Sequence, residues 1–164
     1  MLYASDKMLI KLVAGILTIF SILPAAELST RKILNLATIK TMVATAEAET
    51  QKRGVQVTIC IVDDSGNLLF LEKEDGAGFN TVLFAQKKAR HSAFFKAPSK
   101  NAADAVKNGN SAMLVMPNAF PNQGGLPIKV DGQTIGGIGV SGAASEVDEA
   151  IGQAALDAAF GKTQ

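Results

Sequence analysis

The chain has 164 residues, enough for one globular domain, and its balance of 48% hydrophobic to 19% charged residues excludes a disordered protein. Its formal net charge of +1 shows no surplus of Lys and Arg for binding phosphates. The chain has no Trp and one Tyr, so few large aromatic side chains are available to stack on bases. We therefore expect no nucleic-acid partner.

Residues 1–26 have the layout of a secretory signal peptide. Lys7 precedes an almost wholly apolar run at residues 8–23, and the small residues Ala25 and Ala26 follow it. The run is short for a bilayer span, which takes about 20 apolar residues. We expect cleavage after residue 26, a mature domain of residues 27–164 without a membrane span, and a periplasmic or secreted location. An uncleaved N-terminal anchor is the alternative.

The remaining sequence predicts the order helix, hairpin, helix, short helix, hairpin, helix. Ser29 or Thr30 caps the first helix and Ser145 the last, and residues 113–116 form a short strand or a linker. The hairpins imply antiparallel pairing, so we expect an α+β domain whose antiparallel sheet carries helices on one face. The predicted ranges are helix 30–52, strands 55–62 and 68–71, helices 81–96 and 99–106, strands 126–130 and 133–140, and helix 145–160.

Residues 137–142 match the letters G-x-G-x-x-G of a dinucleotide-binding loop. That loop requires a parallel βαβ unit and an acidic residue about 20 positions further on. Here the preceding strand belongs to a hairpin, and the chain reaches residue 164 before a second parallel strand. We expect instead a glycine-rich strand end that lets another backbone approach closely.

His91 is the only histidine and Cys60 the only cysteine, which excludes an intramolecular disulfide and metal sites built from several such residues. Cys60 lies in an apolar strand and is expected to be a small buried hydrophobe. A single histidine still serves as an axial ligand to a haem iron, because the porphyrin supplies the other four donors.

The helix that carries His91 has two distinct faces. One stripe holds Phe84, Lys88, His91 and Phe95, with Lys87 beside it, and another holds the small residues Val82, Ala85, Ala89 and Ala93. The small residues suit close packing on the sheet, so we expect the His91 stripe to face outward or into a subunit groove. There His91 is the candidate metal ligand, Phe84 and Phe95 flank a porphyrin, and Lys87 or Lys88 meets its propionates. The alternative is an ordinary helix face with a solvated histidine.

Several short segments share their order and spacing with one known family. They are I-V-D-D-S-G-N-L at 61–68, D-G-A at 75–77, K-A-R-H-S-A at 88–93, G-G-L-P-I at 124–128, D-G at 131–132, G-G-I-G-V-S-G at 136–142 and D-E at 148–149. Over residues 28–160 the chain thus resembles the GlcG/HbpS-like (DUF336-type) haem-binding family. The resemblance implies a profilin- or PAS-like antiparallel sheet with packed helices, and a homo-oligomer. His91 stands where the family commonly has Thr in K-A-x-T-A, and this stronger iron donor favours contact between its face and haem.

We therefore expect an exported haem-binding protein that stores, shuttles or senses haem. A haem-degrading enzyme is one alternative, although the sequence contains no motif for a reductant, and a binding protein is favoured over an enzyme. A corrinoid- or small-ligand-binding module is another, because imidazole binds cobalt as well as iron and the family includes domains attached to corrinoid enzymes. A partner-binding domain without a ligand is the last.

Overall fold

The computed structural model describes residue 26 and residues 28–162. The chain divides into two units, residues 1–31 and residues 32–164. In the first unit the described residues are exposed and belong to no helix or strand. The predicted apolar run of the signal peptide lies outside the described residues, so its export role stays a prediction.

The second unit contains the predicted elements in the predicted order. They are α1 (Leu36–Arg53), β1 (Thr58–Asp63), β2 (Leu68–Lys73), α2 (Thr81–Phe95), α3 (Ser99–Lys107), β3 (Gly125–Val130), β4 (Gln133–Ser141) and α4 (Ser145–Phe160). A 3₁₀ turn at Ser111–Leu114 overlaps the first half of residues 113–116, for which a short strand or linker is predicted. Both hairpins are confirmed.

Helix α1 begins six residues later than Ser29 and Thr30 imply. Asn35 occupies the N-cap position, and its side-chain oxygen accepts a hydrogen bond from the backbone N–H of Thr38 at 2.8 Å. This bond satisfies one of the backbone donors that every helix start leaves open, so the helix begins there. The helix ends at Gly54 with φ +64°, as the sequence predicts.

The four strands form one sheet in the order β2-β1-β4-β3, and every neighbouring pair is antiparallel. The α+β fold with an antiparallel sheet is thereby confirmed. Strand β4 pairs antiparallel on both sides, so the glycine motif at its end belongs to no parallel βαβ unit.

Helices cover both faces of the sheet, and the prediction of a single covered face is wrong. Helices α1 and α4 pack on one face, where Ile59 and Ile61 of β1 join the larger apolar cluster. Helix α2 packs on the other face, against Cys60 and Val62. Strand β1 is therefore buried on both sides. The sequence signal for this burial is that the residues pointing to either face of the strand are apolar. Cys60 is buried, as expected.

Glycines of β4 allow α2 to lie directly on the sheet. A Cβ atom added to Gly139 would come within 2.1 Å of the backbone oxygen of Ala85, and one added to Gly137 within 2.2 Å of that of Ala89. The predicted close backbone approach is confirmed. The small face of α2 contacts β4 at this point, which fixes the position of the helix that carries His91.

Candidate functional site

The imidazole of His91 is enclosed by protein, with 1% of the residue exposed. The backbone N–H of Phe120 donates a hydrogen bond to its Nδ1 at 3.0 Å. Its ring stacks on that of Phe95, with the ring centroids 4.5 Å apart and the planes inclined by 20°. The loop between the 3₁₀ turn and β3 therefore closes over the histidine.

This hydrogen bond determines which nitrogen of His91 is protonated. A neutral imidazole has one donor nitrogen and one acceptor nitrogen, and here Nδ1 accepts, so the proton of the neutral ring lies on Nε2. Burial lowers the pKa of the imidazole, which favours the neutral form. With the loop in place, neither nitrogen presents a free lone pair for a metal.

Aromatic rings gather around the loop residue Phe120. The Phe84 ring lies 5.4 Å from it between centroids, and the Lys87 ammonium lies 5.5 Å from the Phe120 centroid. The structure thus brings Phe84, Lys87, His91 and Phe95 into one cluster with Phe120 at its centre. Sequence analysis did not assign Phe120 to the site, because it lies in an irregular loop and shares no periodicity with α2.

Lys88, one turn before His91, forms a buried ion pair. Its ammonium donates to Asp148 Oδ2 and to the backbone oxygen of Val140, each at 2.9 Å, and both side chains of the pair are 2% exposed. The other carboxylate oxygen of Asp148 accepts from the N–H of Ala143 at 2.9 Å. Burial raises the pKa of the Asp148 carboxyl, while the hydrogen bond and charge of Lys88 act in the opposite direction. The pair links α2 to α4 across the end of the sheet.

The predicted outward orientation of the His91 stripe is therefore wrong for Lys88 and His91, which are buried. Phe84 and Phe95 are half-buried, and Lys87 is exposed. Helical periodicity correctly separates the stripe from the face on the sheet, but it contains no information about the loop and the start of α4 that pack over it. The roles of these residues toward a ligand stay predictions.

A cleft of about 620 Å³ lies between β3 and α4. Its wall is partly apolar, with Leu126, Leu156 and Phe160, and it also contains Lys129 and Lys162. His91 does not line this cleft, and its lining residues offer no imidazole, thiol or thioether to an iron atom.

The described residues contain neither a cluster of metal ligands nor a helix that could span a membrane. No group of three or more His, Cys, Asp or Glu side chains in this part of the chain is placed to hold a metal ion. No helix of the same part is long and apolar enough to cross a membrane.

Sequence comparison finds one family model and several related proteins. The family model for "haem degrading protein HbpS-like" matches residues 34–157. Protein GlcG of Escherichia coli K12 is 34% identical over 114 residues, which cover 70% of this chain and 85% of GlcG.

Solved structures share the fold over nearly the same region. The crystal structure of HbpS has a TM-score of 0.74 and 29% identity, and the match covers 84% of this chain and 99% of HbpS. The crystal structure of a PduOC:haem complex has a TM-score of 0.73 and 27% identity, covering 81% of this chain and all of that one. The match between the family model and residues 34–157, together with the identity to GlcG, shows that the chain belongs to the HbpS-like family.

Proposed function

We propose that the protein binds haem. The observation that carries the proposal is the match to the structure of a PduOC:haem complex, which covers all of the PduOC chain and 81% of this one. The family description, which names haem degradation, supports the same ligand.

His91 is the candidate iron ligand. The residue types around it suit a porphyrin, but the loop that carries Phe120 covers the imidazole. The cluster supplies an imidazole, aromatic planes and, in Lys87, an exposed cation for a propionate. Ligation through Nε2 requires that its proton moves to Nδ1, which in turn requires that the Phe120 N–H leaves Nδ1. We therefore propose that haem enters only when the Phe120 loop moves away from α2.

Among the lysines we assign the propionate contact to Lys87. Lys88 is engaged by Asp148 and Val140, and a propionate would have to replace a buried carboxylate that is already in place. The Lys87 ammonium lies over the face of Phe120 and forms no ion pair with a described residue.

A haem titration followed by the Soret band tests the proposal. We expect saturable binding at a defined ratio, loss of the histidine-ligated spectrum in His91→Ala, and a few-fold weaker affinity in Lys87→Ala, since an exposed charge pair contributes about 0.2–1 kcal/mol. Lys40→Ala is the matched control, because Lys40 is exposed on α1 on the opposite face of the sheet. Binding that never saturates overturns the function, whereas an unchanged spectrum in His91→Ala overturns only the ligand assignment.

Phe120→Ala tests the movement of the loop. The substitution keeps the backbone N–H but removes the ring that packs on Phe84 and under Lys87. We expect faster haem association in stopped-flow mixing, because the closed state loses these contacts. An association rate equal to that of the wild type contradicts the requirement for loop movement.

Haem breakdown is the second candidate, favoured by the family description. Bound haem is incubated with ascorbate as reductant in air, with catalase present to remove free peroxide. Loss of the Soret band with release of iron, faster than for free haem, supports an enzyme. A stable band supports storage, shuttling or sensing. The same titration with a corrinoid in place of haem decides whether the site prefers cobalt.

We further propose that the protein is exported. The apolar run at residues 8–23 followed by Ala25 and Ala26 supports this. N-terminal sequencing of the periplasmic or secreted material is expected to begin near Glu27. Recovery of intact Met1 in the cytoplasm contradicts export.

Finally, we propose that a second copy of the chain covers an apolar patch on α2 and the edge strand β2. Leu68 and Leu69 of β2 and Leu83 and Phe94 of α2 are exposed, and the Phe94 ring lies close to the β1–β2 turn at Gly66. The free backbone edge of β2 offers hydrogen bonds to an identical strand. Light scattering is expected to give a multiple of the chain mass, reduced by Leu69→Glu but not by Leu114→Glu. A single-chain mass for the wild type contradicts this proposal.

A further inference from the structure

A polar cavity of about 300 Å³ lies where the N-terminal ends of α2 and α4 approach the end of β4. We call it the N-terminal cavity. It is separate from the His91 cluster, with which it shares only Phe84 among its lining residues. Its lining includes Lys88, Ser141, Ser145 and Asp148.

Ser141 contributes a hydroxyl to the lining of the cavity. It is 5% exposed, and among the described residues nothing forms a hydrogen bond with its Oγ. Side chains alternate along a strand, so Ser141 lies on the same face as Gly139, which is the face that α2 covers. Because the residue lines the cavity, a ligand oxygen there could accept a hydrogen bond from this hydroxyl.

Lys88 contributes a further donor. An ammonium group has three N–H donors, and Asp148 and Val140 account for two of them. Because the side chain lines the cavity, the third N–H is available to a ligand there. The carboxylate of Asp148, by contrast, is occupied by Lys88 and Ala143 and has little capacity left to accept.

The start of α4 contributes two backbone donors. Ala144 stands at the N-cap position, so Ser145, which the sequence predicts as the cap, is the first helical residue. Ala144 has no side-chain oxygen to accept a hydrogen bond, and within the described chain no group accepts from the N–H of Ser145 or Glu146. These N–H groups carry the positive end of the helix dipole.

We propose that the N-terminal cavity binds a small monocarboxylate. The donors at the cavity are the Ser145 N–H, the Lys88 ammonium and the Ser141 hydroxyl, and the N–H of Glu146 follows next along the helix. A carboxylate has two acceptor oxygens, which match paired backbone N–H groups. Since the charges of Lys88 and Asp148 cancel, the cavity tolerates one added negative charge better than two. A phosphate dianion is therefore disfavoured.

Acetate is the probe, and the ¹⁵N-labelled mature protein is titrated with it at constant ionic strength against chloride. We expect the amide signals of Ser145 and Glu146 to shift and to saturate as acetate is raised to about 50 mM. This range of concentration is sufficient to measure a millimolar dissociation constant. Phosphate is expected to give no saturable shift of the same signals.

Two substitutions at one position separate the backbone donor from the side chain. Ser145→Pro removes the N–H, and the first helical position tolerates proline because φ is already suitable and no intrahelical bond is lost. Ala144 has φ −60° and ψ 144°, which a following proline allows. Ser145→Ala keeps the N–H. We expect acetate binding, read from the Glu146 signal, to weaken about tenfold or more in Ser145→Pro and to change little in Ser145→Ala.

The alternatives have distinct signatures. Absence of saturable acetate shifts in the folded wild type overturns the proposal, as does equal affinity in Ser145→Pro and Ser145→Ala. Tight binding of phosphate at the same signals overturns the preference for a monocarboxylate. Haem binding plays no part in these measurements, so the outcome is independent of the function proposed above.

Discussion

Replacing Lys88 by Met is expected to destabilise the fold strongly. The variant keeps most of the side-chain volume but removes the ammonium from a pair of which both members are 2% exposed. Asp148 then retains only hydrogen bonds from the backbone, such as that from the Ala143 N–H, and the backbone oxygen of Val140 loses a donor. Breaking one partner of a buried pair costs about 3–5 kcal/mol, a large share of the 5–15 kcal/mol that stabilises a typical domain.

Urea unfolding followed by far-UV circular dichroism measures this loss, since the chain has no Trp and one Tyr for fluorescence. Lys100→Met is the matched control. Lys100 pairs with Asp104 one helical turn away, but the two side chains are 45% and 51% exposed. Exposed pairs contribute about 0.2–1 kcal/mol, so the control is expected to unfold close to the wild-type midpoint.

The double variant Lys88→Met with Asp148→Leu isolates the interaction between the two side chains. Removing both charges leaves no buried carboxylate without its cation, so we expect the double variant to lose less stability than the two single variants together. If Lys88→Met unfolds within about 1 kcal/mol of the wild type, as Lys100→Met should, the buried ion pair does not form as described. Lys88 would then be free to meet a propionate.

Three further outcomes follow from the packing. Gly139→Ala forces a Cβ to within 2.1 Å of the backbone oxygen of Ala85, and we expect it to lower the unfolding free energy by about 3 kcal/mol or more in the urea assay. Gly152→Ala is the control, because its nearest contact is at 3.4 Å, and it should be neutral or stabilising. Burial lowers the pKa of His91 in the folded state, so the contribution of the neutral imidazole to the free energy of unfolding is fully present above the unfolded-state pKa of about 6.5. This contribution is lost as the pH falls through the folded-state pKa. His91→Leu should remove this part of the pH dependence in thermal unfolding. Burial raises the pKa of the Cys60 thiol to about 12, so a thiol reagent at pH 8 should react only after denaturation, and rapid labelling of the native protein would contradict the described burial.

The composition of α2 shows how far sequence reasoning extends. Its small residues and the glycines of β4 both predict close packing, and the structure confirms that they lie against each other. The inference succeeds because local spacing alone decides which face of a helix admits another backbone.

The same helix also shows where sequence reasoning stops. The outward orientation predicted for Lys88 and His91 is wrong, because Asp148 and Phe120 reach them from positions 60 and 29 residues away in the chain. No periodicity within α2 encodes those contacts. The carboxylate and the loop arrive only when the chain has folded, and they change an exposed stripe into a buried ion pair and an enclosed imidazole.

The sequence by itself determined the order of elements, the antiparallel pairing, the family, and the one imidazole available as a metal ligand. Each of these depends on local patterns: alternation, helical spacing, turn residues and a residue count. Only the tertiary structure decided that both faces of the sheet are covered, that the Nδ1 of His91 is occupied, and that Ser141, Lys88 and the start of α4 surround one cavity. Those features depend on distances between residues that are remote in the chain, and such distances are set by the packing of the whole domain.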